Sequence, residues 1–117
     1  MRNFRNLIIW QKGMDIVRLT YEITSNFPEN ERFALSVQCQ KSAVSIPSNI
    51  AEGCSRKSSK DQYRFTEIAL GSAFELETQI LIAQSLGYAS SVQYERILEE
   101  INQEQRMLSS YMEKLKA

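Results

Sequence analysis

Apolar residues recur along this chain at three-to-four spacing, in four runs separated by short polar connections. That is the period of amphipathic helices, not of strands. In the first run, about Asn6 to Phe27, Trp10, Met14, Val17 and Tyr21 set the expected core face, with Ile9, Ile16 and Ile23 on a flanking stripe. Pro28 closes it, because the residue before a proline is pushed out of the helical region. The second run, about Asn30 to Arg56, is built on Leu35, Cys39, Ala43, Ile46, Ile50 and Cys54. Its interior Pro47 removes one backbone hydrogen bond and crowds the preceding turn. The stripe nevertheless stays in phase across Pro47, so one helix kinked there is expected, with Ser42, Ser45, Ser48 and Asn49 placed to bond freed carbonyls.

Gly53 to Ser59 reads as a turn. Ser59 followed by Gln62 has the spacing of a capping box, and Asp61 complements the helix dipole. The third helix then runs to about Leu86 on Phe65, Ile68, Ala69, Ser72, Leu76, Ile80 and Ala83, with Gly87 as its C-terminal cap. Ser90 and Gln93 repeat the capping signature before a last helix on Tyr94, Ile97, Ile101, Leu108, Met112 and Leu115. Short connections between long helices force neighbours to be antiparallel. The predicted fold is all-α, a single antiparallel up-down-up-down four-helix bundle over residues 1–117. Helices one and three carry a second apolar stripe each (Ile9, Ile16, Ile23; Leu70, Phe74, Leu81), and surplus apolar surface marks an interface. A homo-oligomer is therefore expected.

Composition narrows the chemistry. The chain has no histidine, which removes the commonest general base and metal ligand and the His-dependent nucleophile arrangements. On one helix, Cys39 and Cys54 would lie roughly 22 Å apart, far beyond disulfide reach, and free thiols suit a reducing compartment. The N-terminal apolar run is too short for a signal peptide and no stretch approaches a membrane span, so a cytoplasmic protein with no membrane partner is expected.

Glu75 and Glu77, two apart on a helix, point away from each other and cannot share a substrate or metal. They read as a solvated face, as do Glu99, Glu100 and Glu104. Glu52 and Arg56 read as local i,i+4 support. Trp10, Phe65, Phe74, Tyr94 and Tyr111 read as core, Cys39 and Cys54 as small hydrophobes, and Ser45 and Ser48 lack a base. No catalytic residue, metal site or cofactor is expected.

Lys plus Arg equals Asp plus Glu, so any electrostatic function must come from arrangement. An antiparallel bundle gathers Arg2, Arg5, Arg56, Lys57, Lys60, Arg64, Lys114 and Lys116 at one pole, diluted by Glu52, Asp61 and Glu113. The other pole collects Glu22, Glu29, Glu31, Glu75, Glu77 and Glu95. Arg56, Lys57, Lys60 and Arg64 are the candidate nucleic-acid-binding residues, able to hold phosphate without reading sequence.

The stretch Ser-Ile-Pro-Ser-Asn-Ile-Ala-Glu-Gly, Ser45 to Gly53, resembles the four-helix bundle family encoded in intervening sequences of bacterial 23S ribosomal RNA genes. Arg56, Ser58, Asp61, Phe65, Ile68-Ala69, Gly71-Ser72 and Glu75-Leu76-Glu77 continue the likeness, and Trp10, Phe27-Pro28, Glu31, Gln38 and Gly87-Tyr88 fit it too. The resemblance implies a four-helix bundle with one continuous, proline-containing second helix and no established catalytic residues. A distant relative is the accessory variability determinant of diversity-generating retroelements, a five-fold barrel of such bundles. It binds nucleic acid and its reverse transcriptase through basic surfaces. The resemblance thus implies a homo-oligomer, specifically a pentamer, associated with nucleic acid. Two functions follow: a non-catalytic RNA-associated accessory protein that binds phosphate through its basic pole, or a protein–protein scaffold that binds no nucleic acid.

Overall fold

The computed structural model describes residues 3–116, and in it the four runs are four α-helices. They are α1 (Ile8–Thr24), α2 (Leu35–Cys54), α3 (Ser59–Ser85) and α4 (Ser91–Lys116), in a body of 44 × 23 × 20 Å. Short 3-10 turns at Phe4–Asn6 and Glu29–Glu31 precede α1 and α2, and no strand occurs among the described residues.

Side-chain contacts give the direction of each helix. Gln40, early in α2, donates to Thr24 at the end of α1 (3.1 Å), whereas Pro47, later in α2, faces Gly13. Ser42 donates to Glu75 (3.0 Å) and Ser45 shares a hydrogen bond with Ser72 (2.8 Å), joining α2 to α3. Gln105 donates to Glu77 (2.9 Å), while Lys116 at the end of α4 sits over the Tyr63 ring near the start of α3. Asn26 donates to Gln93 (3.1 Å) and Lys12 to Gln103 (2.8 Å), placing α4 beside α1. In every pair the residue number rises on one helix as it falls on its neighbour, so contacting helices run antiparallel.

α2 is uninterrupted through a buried Pro47. Of the four polar residues expected to relieve that proline, Asn49 reaches a carbonyl, that of Ser45 (2.8 Å). Ser42 and Ser45 instead tie α2 to α3. The stripe expected on α2 is buried from Cys39 through Cys54, with Leu35 half-buried.

α1 turns the other way from the expectation. Ile9, Gly13, Ile16, Thr20 and Ile23 face the core, while Met14 and Tyr21 are exposed and Trp10 and Val17 half-buried. The reason is close approach. A Cβ at Gly13 would lie 3.3 Å from the Glu104 carboxylate and 3.4 Å from Ile46, so a bulky residue there would hold α1 off. Thr20 is tolerated inside because its hydroxyl donates to the Ile16 carbonyl (2.8 Å). The apolar surplus on α1 is thus its Met14–Tyr21 side, not Ile9, Ile16 and Ile23.

On α3, Ala69, Leu76, Ile80 and Ala83 are core as expected, joined by Thr66, Ala73 and Gln79. Phe65 and Leu70 are half-buried, Ile68 is 42% exposed, and Phe74 and Leu81 stand in solvent at 53% and 45%. Phe74 is therefore surface, not core. Tyr94 is core, and Tyr111 is half-buried.

Ser58, not Ser59, caps α3, accepting from the Asp61 amide (3.1 Å), and Gln62 reaches back to the Arg56 carbonyl (2.9 Å). At its far end Gly87 takes φ +77°, its amide bonds Gln84 and the Tyr88 amide bonds Ala83, the double closure of a glycine-terminated helix. Before α4, Ser90 and Gln93 exchange backbone-to-side-chain bonds at 3.3 Å each, the capping box expected there.

Candidate nucleic-acid interface

The α2–α3 turn is tight because Gly53 lets the two helices close on each other. A Cβ at Gly53 would come within 3.1 Å of the Phe65 Cβ. The turn therefore folds Arg56 back, where its guanidinium sits 4.9 Å from the Phe65 ring centre and 3.1 Å from Glu52. Arg56 is partly spoken for by that carboxylate. Lys57, Lys60 and Arg64 are exposed and have no ion-pair partner among the described residues. Lys60 and Arg64 are one turn apart on α3 and share a face.

The rest of the basic end assembles around them. Lys116, 5.8 Å from the Tyr63 ring centre, brings the last turn of α4 and Lys114 beside the start of α3, and Glu113 pairs with Lys116 at 3.4 Å. Arg5 lies in the turn before α1, its guanidinium over Phe4. Arg2 falls outside the described residues. Trp10 packs edge-on against Phe4 at 5.3 Å and lies partly against the core.

At the opposite end Glu31 accepts from the Tyr88 hydroxyl (2.9 Å) and from the Leu35 amide (3.3 Å), lashing the α1–α2 connection to the α3–α4 connection. That carboxylate holds the Tyr88 proton in place and raises its pKa. Glu22, Glu29 and Glu95 are exposed. Glu75 and Glu77 do not belong to this end. About ten residues before the end of α3, they sit roughly 15 Å along its flank, bonded to Ser42 and Gln105.

Sequence reading missed one residue outright. Glu104, expected on a solvated face, is completely buried against Gly13, and neither carboxylate oxygen has a hydrogen-bond partner among the described residues. Burial pushes its pKa up to about 8, with the Lys12 ammonium pulling down and Glu100 pushing up. Lys12 itself bonds Glu100 and Gln103, so it serves the rim of the seam rather than its interior. The signal was present: Glu104 fills the gap between Ile101 and Leu108 in the core stripe of α4.

Both cysteines are buried and neither forms a disulfide, and burial pushes the Cys39 thiol up to about 12, the behaviour of a small hydrophobe. Among the described residues no group of three or more Cys, Asp or Glu is placed to hold a metal ion, and no helix is long and apolar enough to cross a membrane.

The model of the 23S rRNA-intervening sequence proteins matches residues 5–110, nearly the whole bundle including the α2–α3 turn. The chain belongs to that family. It is also similar to a crystal structure from Bacteroides thetaiotaomicron, described as a protein of unknown function from the S23 ribosomal protein family. The two share 28% identity and superpose with a TM-score of 0.80, over 90% of this chain and 98% of the other. No curated protein matches the sequence. The family description names a 23S rRNA intervening sequence and no reaction.

Proposed function

We propose that this family member is a non-catalytic, homo-oligomeric accessory protein that associates with RNA by gripping backbone phosphates at its basic end. The observation that carries the reading is the cluster Lys57, Lys60 and Arg64, exposed beside Arg56 at the α2–α3 turn with no ion-pair partner among the described residues and with Asp61 as the acidic neighbour in the same turn. On a neutral chain such a cluster is a local field, and it supplies affinity without sequence readout. A single patch of three or four cations is a weak site. Repeated around the axis of an oligomer, for which a pentamer is the specific proposal, it becomes a strong one through avidity.

The test is binding of a structured RNA to wild-type protein at about 50 and 200 mM salt, where releasing a few counterions should weaken binding steeply. Absence of binding at the lower salt overturns the reading. The scaffold alternative draws on a separate observation, the solvent-facing Phe74, Leu81 and Ile82 of α3, which would serve a protein partner as readily as a second copy.

A further inference from the structure

A groove of about 680 Å³ opens between the start of α1 and the last three turns of α4. Its α4 wall is two parallel rows set by helical register. Arg106, Ser110 and Lys114 form a polar, cationic row, and Met107, Tyr111 and Leu115 form an apolar row directly beside it. Leu7, just before α1, and Ile8, its first residue, close the apolar side, with Ile8 65% exposed. Among the described residues no acidic side chain lines the groove and neither Arg106 nor Lys114 has an ion-pair partner.

We infer that this groove is a binding site for a small linear anionic amphiphile, with its chain along Met107, Tyr111, Leu115 and Ile8 and its carboxylate or phosphate head on the Arg106–Lys114 row. Charge complementarity selects the head. The apolar row runs from Met107 to Leu115, roughly 12 Å along α4, and so suits a linear chain lying along the helix. The volume falls within the range of ordinary small-molecule sites, and mixed aliphatic walls with a few convergent polar groups are their usual lining. The groove shares Lys114 with the basic end, but Lys57, Lys60 and Arg64, the cluster that carries the RNA reading, do not line it.

Calorimetric titration of the full-length protein with dodecanoate, and with dodecanol as the uncharged control, tests the inference. Dodecanoate is expected to bind one per chain and the alcohol more weakly. Ile8→Glu, at an exposed position that leaves the fold intact, should abolish binding of both. Arg106→Gln with Lys114→Gln should weaken dodecanoate by about tenfold or more while leaving dodecanol unchanged, the loss of a charge-assisted contact. Equal binding of acid and alcohol, or dodecanoate binding that survives Ile8→Glu, overturns the assignment. If wild type binds neither and Ile8→Glu lowers the mass seen by light scattering, a second copy occupies the groove, and the assignment is equally overturned.

Discussion

Glu104 is the residue on which stability should turn with pH. Its folded-state pKa is raised from 4.5 to about 8, so the folded protein keeps the proton that the unfolded chain has already released. Its contribution is neutral below about pH 4 and becomes increasingly unfavourable as pH climbs toward 8. Beyond that it stays constant, because both states are then ionised. The swing is on the order of 3–5 kcal/mol as an upper bound for so buried a group. Glu104→Gln keeps the shape and removes the charge, so it should raise the melting temperature at pH 9 and leave it unchanged near pH 4. Superimposable profiles of melting temperature against pH for the two proteins would show that the carboxyl is not buried. Glu104 was hidden in the sequence by its company, since Glu99 and Glu100 suggested a solvated acidic stretch. Its phase with Ile101 and Leu108 pointed inward, and phase won because Gly13 opposite leaves room for a carboxyl group.

At the scale of the element, each helix was legible and the facing of α1 was not. α2 and α4 present one dominant apolar stripe, and period alone orients them. α1 offers two, and the larger side chains, Trp10, Met14 and Tyr21, outweighed Ile9, Ile16 and Ile23 in reading. Packing decides differently, because helices approach most closely where residues are small, and Gly13 lies on the isoleucine side. The start of α3 was misplaced by one residue for a related reason: Ser58 and Ser59 are both competent caps, and only geometry chooses. Ser58→Ala should therefore cost roughly 1 kcal/mol in denaturant unfolding and Ser59→Ala a few tenths. The reverse order would put the cap back at Ser59.

For the whole molecule, the apolar surplus that suggested an oligomer survives on α3 at Phe74 and Leu81 and shifts on α1 to Met14 and Tyr21. Phe74, Leu81 and Ile82 of α3 and Met14 and Tyr21 of α1 carry it, all between 37% and 53% exposed. Isolated exposed apolar residues mean little, but Phe74, Leu81 and Ile82 share one face at helical spacing. Phe74→Glu places a charge there without touching the core. It should convert the proposed oligomer to a smaller species by light scattering at tens of micromolar, whereas a wild-type monomer would refute an oligomer altogether. The poles were largely legible, because antiparallel connectivity alone brings the α2–α3 turn to the end of α4. What the sequence could not show is which cations are already paired: Arg56 is held by Glu52 and Lys116 by Glu113, leaving Arg5, Lys57, Lys60, Arg64 and Lys114 without a carboxylate partner among the described residues. Charge reversal at that surface tests the proposed RNA binding most directly. In filter binding at about 50 mM salt, where phosphate contacts are strongest, Lys60→Glu with Arg64→Glu should abolish RNA retention while helicity and oligomeric mass stay at wild-type values. Retention by the double variant equal to that of wild type would contradict it.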